Sequence, residues 1–258
     1  MSVPVYVLWC CVAVASWLAL YRLPFADASR RRRMALWLAD RSGSRPDAAF
    51  AVFATALYLG LGLAVLFALA AAAHLSVHRL VGAPTASDAL TLLLALFGTS
   101  SLNILCISML YRARPIVDVP GEIARIRWIA SILSLPGSAR WAVPAAAAVV
   151  EELVFRGAVF VGLGARGGGF ALACAVSTAI FTIGQIVLVS TPVQAFVMGT
   201  SGLTLGLVGC LLVAATGSIL PAVVLHASFA GFYTTVSTGS ARGGSGARPT
   251  GPPRGAFP

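Results

Sequence analysis

The sequence predicts an all-α fold, a bundle of membrane-spanning helices, from its composition, its long apolar stretches and the placement of its charges. Hydrophobic residues make up 59% of the 258 residues and charged residues only 10%, whereas an average soluble domain carries about 25% charged residues. A helix crosses a bilayer with about 20 mostly apolar residues, and the chain contains seven such stretches. This composition excludes a soluble globular enzyme, a disordered chain and a fibrous repeat.

The apolar stretches place the helices along the chain. The seven predicted spans are residues 2–21, 48–73, 89–111, 141–164, 170–189, 193–215 and 218–236. The stretch 116–135 carries Asp118, Glu122, Arg125 and Arg127, so we expect it to lie at the membrane interface, and an eighth short span there is left open. We divide the chain into N-terminal helices with basic loops (1–140), a helical core (141–236) and a disordered tail rich in Gly, Pro and Arg (237–258).

The arginines predict how the chain is oriented in the membrane. All 18 basic residues are Arg against eight acidic ones, a net charge of +10. With the N-terminus outside, 15 arginines fall on the inner side, and only Arg79 and Arg166 fall on the outer side. This asymmetry follows the positive-inside rule and indicates topology rather than a nucleic-acid partner. We expect an integral protein of a bacterial plasma membrane with a cytoplasmic C-terminus, in contact with the lipid bilayer.

The fourth predicted span departs from the general avoidance of charge. It holds Glu151, Glu152 and Arg156 within six positions. Glu151 follows Trp141 by ten residues, or about 15 Å, which is near the middle of a hydrocarbon core about 30 Å thick. Each such residue costs about 2.5–3.5 kcal/mol to insert, and charges inside the membrane usually serve a function.

The spacing of these three residues suggests different roles. Glu152 and Arg156 are four positions apart, so they share a helix face and can form an ion pair. Glu151 is rotated by about 100° from Glu152 and can face a neighbouring helix or a water. A nearby cation helps to keep a carboxylate ionised and able to act as a general base. The alternative interpretation is a structural ion pair that joins helices, which leaves the second glutamate unexplained.

The motif Glu-Glu-Leu-Val-Phe-Arg-Gly resembles the first motif, Glu-Glu-x-x-x-Arg, of the CPBP family of CAAX proteases and bacteriocin-processing (Abi-type) intramembrane proteases. The family's second motif is Phe-x-x-x-His, and Phe181 to Gln185 aligns with it. The third is His-x-x-x-Asn or Asp, and His226 to Ala230 aligns with it. The resemblance extends over about a third of the chain, from Trp141 to Tyr233.

The resemblance implies peptide hydrolysis within the membrane, on a membrane-associated peptide or protein substrate. It implies that Glu151 activates a water, that Glu152 and Arg156 support it, and that His226 contacts the oxyanion or the substrate. Gln185 occupies the position of the second-motif His. Many family members are called metalloproteases. A divalent metal, if one is bound, would use Glu151 and His226, although no His-Glu-x-x-His motif requires one.

Two residues depart from the family pattern, and they leave more than one hypothesis for the function. Gln185 cannot take up a proton at neutral pH, and Ala230 replaces the family's Asn or Asp with a side chain that donates no hydrogen bond. For activity, either the substrate or a neighbouring group must supply what is missing, and Ser177, Thr182 and Ser228 are candidates for such a group. The first hypothesis is therefore an intramembrane endopeptidase, and the second is a degenerate relative that binds a peptide, a lipid or a partner in an immunity or assembly role. A small transporter is the third, disfavoured because no internal repeat with broken helices is visible.

Overall fold

A computed structural model describes residues 1–82, 85–135 and 137–243, with the side chains of Arg79 and of residues 232–243 outside that description. The described residues form helices and no strands. The α-helices are α1 (Val3–Arg22), α2 (Ala28–Ser42), α3 (Pro46–Ala73), α4 (Ala86–Ala113), α5 (Val119–Ala124), α6 (Arg127–Leu133), α7 (Ala139–Glu152), α8 (Gly162–Gly164), α9 (Gly169–Val187), α10 (Pro192–Thr216) and α11 (Leu220–Gly243). Short 3₁₀ turns lie at Leu23–Phe25 and Val77–Leu80, and a π-helix at Leu153–Val161 joins α7 to α8.

Five helices in the described part of the chain are long and apolar enough to cross a membrane, which confirms the predicted class. They are Val3–Phe25, Pro46–Ala73, Ala86–Ala113, Gly169–Val187 and Pro192–Thr216. The fourth predicted span is helical, but it carries three charges and passes through the π-helix. The seventh is apolar over Leu220–Gly231, the part of this helix whose side chains the structure describes. The count of seven or eight spans therefore stays a prediction.

Local sequence signals determine where the long helices begin and end. Pro46 and Pro192 open α3 and α10, where the missing N–H of proline costs no helical hydrogen bond. Thr85 and Thr191 each cap the helix that follows through a reciprocal capping box. Gly217 ends α10 with φ +67°, a left-handed conformation that glycine adopts without strain.

The two ends of the bundle are defined by contacts between loops that are distant in sequence. At one end Arg22 Nη1 donates a hydrogen bond to the carbonyl of Val187. At the other end Arg166 Nη1 donates to the Ala73 carbonyl at 3.2 Å, and the amide of residue 219 donates to the carbonyl of residue 80 at 3.0 Å. Because the long helices alternate in direction, loops that are distant in sequence lie together at each end of the bundle. Which end faces the cytoplasm stays a prediction.

The core is enclosed by four elements: the Trp17 side of α1, the π-helix, α9 and α10. The π-helix is buried along most of its length, and α10 is the most buried of the long apolar helices. By contrast α4 exposes most of its surface, with large apolar side chains such as Phe97 and Leu94 pointing outward. In a membrane such a surface contacts lipid without cost. The central helices therefore hold the polar groups, and the outer ones separate them from lipid.

Two predicted boundaries differ from the structure. The fourth span begins at Ala139 rather than at residue 141, and Pro144 lies inside the helix. The last helix continues past residue 236, the predicted end of the core, to Gly243. An established helix gains one hydrogen bond for each added residue, so it extends into weak helix formers. The rest of the predicted disordered tail, 244–258, lies outside the described residues, and the division into three regions stays a prediction.

Candidate active site

The three intramembrane charges lie at the junction between α7 and the π-helix. Glu151 and Glu152 end α7, and Arg156 lies within the π-helix. A π-helix has wider turns than an α-helix and often occurs at functional sites. Glu152 and Arg156 are 1% and 0% exposed, while Glu151 is 7% exposed. All three charges are therefore removed from water and depend on fixed partners.

Glu152 is fixed by a cation and an imidazole. Arg156 Nη1 lies 3.1 Å from Glu152 Oε1, which is ion-pair distance, although the pair does not meet hydrogen-bond angles. His226 Nδ1 lies 2.8 Å from the same oxygen. The ion pair predicted from the four-residue spacing is thus present, and it connects to the third motif through His226. Glu152 therefore orients the imidazole.

Arg156 has further partners that hold its guanidinium in place. Its Nη2 donates to the Leu205 carbonyl at 2.7 Å, and the guanidinium lies 4.5 Å from the centroid of the Phe181 ring. A Cβ on Gly209 would lie 2.7 Å from Arg156 Nε, so glycine at this position makes room for the side chain. Two polar atoms of Arg156 lack a hydrogen bond, and the ring face supplies a cation–π contact there.

Glu151 points in a different direction and meets three polar side chains. Tyr58 Oη donates to Glu151 Oε1 at 2.8 Å, and Gln185 Nε2 donates to Glu151 Oε2 at 3.2 Å. His226 Nε2 lies 3.8 Å from the same Oε2. The structure therefore brings the five predicted site residues together, since Glu152 and Arg156 join them through His226. A distance of 3.8 Å is too long for a direct hydrogen bond.

Glu151, Gln185 and His226 line one partly open cavity, which we call the inner cavity. Its volume is about 110 Å³, and its surface is mostly apolar. One water needs about 10–15 Å³ measured in this way, so the cavity has room for a water together with part of a larger ligand. Ala230 also lines the cavity and offers it only a methyl group.

The compensating residues considered from the sequence do not line the inner cavity. Ser177 Oγ donates to the Phe155 carbonyl at 2.7 Å, and the exposed Ser228 donates to Val224 at 2.7 Å. Thr182 lies outside the lining as well. None of the three therefore replaces the side chains absent at positions 185 and 230.

Tyr58 is the site residue that the sequence analysis missed. It lies on α3, well before the motifs, and its ring packs against Trp17 at a centroid distance of 4.8 Å. Trp17 Nε1 also donates to the Tyr58 carbonyl at 3.0 Å. One sequence signal was available: Tyr in membrane helices concentrates at the interfaces, and Tyr58 lies mid-way along a 28-residue apolar helix.

The donor set does not fit a metal centre. A catalytic zinc site has three protein ligands and an open position, whereas only Glu151 and His226 direct uncommitted ligand atoms toward each other. The remaining polar contacts of Glu151, from Tyr58 and Gln185, are hydrogen-bond donors. No group of three or more His, Cys, Asp or Glu in the described part of the chain is arranged to hold a metal ion. We derive no catalytic step through a metal.

Comparison with known proteins identifies the segment that contains this site. Residues 137–232 match the family model for type II CAAX prenyl endopeptidase Rce1-like proteins. This segment is therefore similar to the Rce1-like proteins, and we call it the Rce1-like segment. The match covers a little over a third of the chain and confirms the resemblance to the CPBP family that the motifs predicted. Neither the curated proteins nor the solved structures gave a match.

The Rce1-like segment contains every residue of the three motifs but not Tyr58. The family that this segment matches is described as an endopeptidase family, so the segment is similar to peptidases. α1 to α4 lie outside the match, yet Tyr58 of α3 contacts Glu151. The polar shell of the candidate site is thus assembled from both parts of the chain.

Proposed function

We propose that this protein is an intramembrane endopeptidase in which Glu151 activates a water. The observation that carries the proposal is the position of Glu151, whose carboxylate faces an apolar cavity between Tyr58, Gln185 and His226. A general base must lie within hydrogen-bond reach of the proton that it removes. A water between Glu151 Oε2 and His226 Nε2 would satisfy this requirement.

The proposed reaction proceeds in two steps. Glu151 removes a proton from the water as the water oxygen attacks the carbonyl carbon of the scissile peptide, which forms a tetrahedral oxyanion. The carbon–nitrogen bond then breaks, and Glu151 returns the proton to the departing amine. The products are a carboxylic acid and an amine, and Glu151 is regenerated as a carboxylate.

His226 and Tyr58 are the candidate donors for the oxyanion. His226 Nδ1 donates to Glu152, so Nε2 donates to the oxyanion only in the imidazolium form of the ring. The Tyr58 hydroxyl donates its one hydrogen to Glu151, and this hydrogen becomes available to the oxyanion once Glu151 has taken up the proton of the water. One oxyanion donor is worth about 10²–10³ in rate. Gln185 positions Glu151 without accepting a proton, so in this proposal Glu151 carries the whole proton transfer.

The second candidate is a membrane protein that binds a peptide, a lipid or a partner without cleaving it. Gln185 and Ala230 favour it, since both line the inner cavity and neither titrates. The intact Glu151, Glu152, Arg156 and His226 cluster favours hydrolysis. A cavity that served only for binding an apolar ligand would not need a buried carboxylate beside an imidazole, because each buried charge costs free energy.

The test compares membrane peptides from cells that express the wild type or the Glu151→Gln variant. We expect peptides that accumulate with the wild type to disappear with the variant, because an amide cannot accept the proton from water. Glu122→Gln serves as the matched control, since Glu122 pairs with Arg125 at 2.7 Å and does not line the inner cavity. Identical peptide profiles for all three proteins, at equal protein levels, would reject hydrolysis and leave the binding function.

A further inference from the structure

A second cavity adjoins the inner cavity at the end of the bundle that holds Arg22, and we call it the outer cavity. Its volume is about 780 Å³, several times that of the inner cavity. Its charged lining consists of Arg22, Arg31, Arg32, Arg125, Arg127 and Asp47. Five arginines against one aspartate, in a chain with 18 arginines in total, make this cavity a strongly positive region.

The basic charge of the outer cavity is only partly neutralised. Arg125 pairs with Glu122 at 2.7 Å. Arg31 donates to the Phe25 carbonyl at 2.8 Å, which orients its guanidinium but leaves its charge. No ion pair within 4 Å joins Asp47 to any of the five arginines among the described residues. The cavity can therefore accept an anionic group.

The two cavities adjoin each other. Tyr21, Ala54, Trp128, Ser131 and Leu188 line both of them. A ligand that passes between these shared residues would place an apolar part beside Glu151 and a charged part among the arginines. An extended peptide spans about 3.3–3.6 Å per residue, so a few residues suffice to pass from one cavity into the other.

We propose that the outer cavity binds a carboxylate-bearing segment of the peptide substrate. This inference rests on the proposed peptidase function and adds the chemistry of the substrate. Guanidinium groups bind carboxylates through paired hydrogen bonds, and clefts lined by one sign of charge concentrate ligands of the opposite sign. The carboxylate comes either from Asp or Glu side chains or from the C-terminus of the substrate.

The arginine run on α2 supplies an internal control. Arg31 and Arg32 line the outer cavity, whereas Arg30 and Arg33 of the same run do not. Arg30 lies 3.9 Å from Asp27 and is exposed. All four have the same effect on topology and on attraction to anionic lipid. A binding preference that depends on Arg31 and Arg32 but not on Arg30 and Arg33 therefore arises from the outer cavity.

Binding is measured with the full-length Glu151→Gln protein in phosphatidylcholine nanodiscs, so that no cleavage occurs and no anionic lipid is present. The probes are eight-residue peptides with one palmitoyl chain and a neutral nitrobenzoxadiazole fluorophore. In one series of peptides, a pair of glutamates occupies successive positions along the sequence. In the matched series, glutamines occupy the same positions. We expect the glutamate peptide to bind about 5-fold more tightly at one preferred position, as two exposed charge pairs contribute together.

The matched variants decide where the preference originates. Arg31→Gln with Arg32→Gln should remove the preference, and Arg30→Gln with Arg33→Gln should preserve it. Raising the salt to about 1 M, where the Debye length is about 3 Å, should also reduce it. Equal affinity for glutamate and glutamine peptides at every position, together with equal affinity for free and amidated C-termini, would overturn the proposal, as would an equal loss in both double variants.

Two further arms distinguish the sources of the anion. Glutamine peptides with a free or an amidated C-terminus test a terminal carboxylate, and a preference for the free form assigns the cavity to the C-terminus of the substrate. Phosphatidylglycerol vesicles test lipid: if they bind through Arg31 and Arg32 while no peptide carboxylate does, the proposal is wrong. Peptide preference without any hydrolysis by the wild type would reject the proposed function but not this binding site.

Discussion

The charged side chains at the inner and outer cavities differ in their burial and in their pairing. Beside the inner cavity, Glu152 and Arg156 are almost completely buried and are held by ion pairing, an imidazole and a backbone carbonyl. In the outer cavity Arg32 and Arg127 are exposed and take part in no described ion pair. A buried charge must be paired because desolvation costs several kcal/mol, whereas an exposed one keeps its hydration. Charges held in fixed positions suit the catalysis of bond cleavage, whereas hydrated charges suit the recognition of a charged ligand.

Arg156→Met should produce the largest change in stability. It leaves Glu152 buried without its cation, so we expect the free energy of unfolding to fall by about 3–5 kcal/mol, measured by reversible unfolding in mixed detergent micelles. Glu152→Gln combined with Arg156→Met should recover much of the loss, because no unpaired charge remains. A single-variant loss below about 1 kcal/mol would show that the inner cavity tolerates an unpaired charge.

Tyr58→Phe should affect activity more than stability. It removes the hydroxyl that contacts Glu151 at 2.8 Å, so we expect kcat for peptide cleavage to fall about 10²-fold and the free energy of unfolding by about 1 kcal/mol. Tyr111→Phe, at the exposed end of α4, is the control and should change neither quantity. Unchanged kcat with reduced stability would assign Tyr58 a packing role only.

Gln185→His combined with Ala230→Asn restores the two family residues in the inner cavity. A histidine beside Glu151 can share the proton transfer, and an asparagine adds a donor, so we expect peptide cleavage to increase by about 10-fold or more. The measurement is initial rate per amount of folded protein in nanodiscs. No increase would indicate that this chain uses its cavity differently from the family pattern.

Arg31→Gln with Arg32→Gln should produce the smallest change in stability. Arg32 is exposed, and the partly buried Arg31 loses only its hydrogen bond to a backbone carbonyl, so we expect the free energy of unfolding to change by less than about 1 kcal/mol for the two substitutions together in the same micelle assay. A loss comparable to that of Arg156→Met would show that charges at the outer cavity contribute as much to stability as the buried charges do.

Much of the fold followed from simple sequence patterns. Apolar stretches of about 20 residues predicted the membrane helices, and the five long apolar ones coincide with predicted spans. The segment predicted as the charged fourth span is helical, and its crossing of the membrane stays a prediction. The π-helix was not predicted, since its residues, Leu153–Val161, carry no local signal that distinguishes them from an α-helix.

The sequence by itself determined the membrane class, the Glu-Glu-x-x-x-Arg motif and its pairing, because length, hydropathy and four-residue spacing are local properties of the chain. Only the tertiary structure decided that Tyr58 contacts Glu151, that Ser177, Thr182 and Ser228 do not line the inner cavity, and that two of four consecutive arginines line the outer one. These facts depend on how helices distant in sequence pack and rotate against each other. Helix packing in lipid is set by the fit of side chains between helices, which no single stretch of sequence contains.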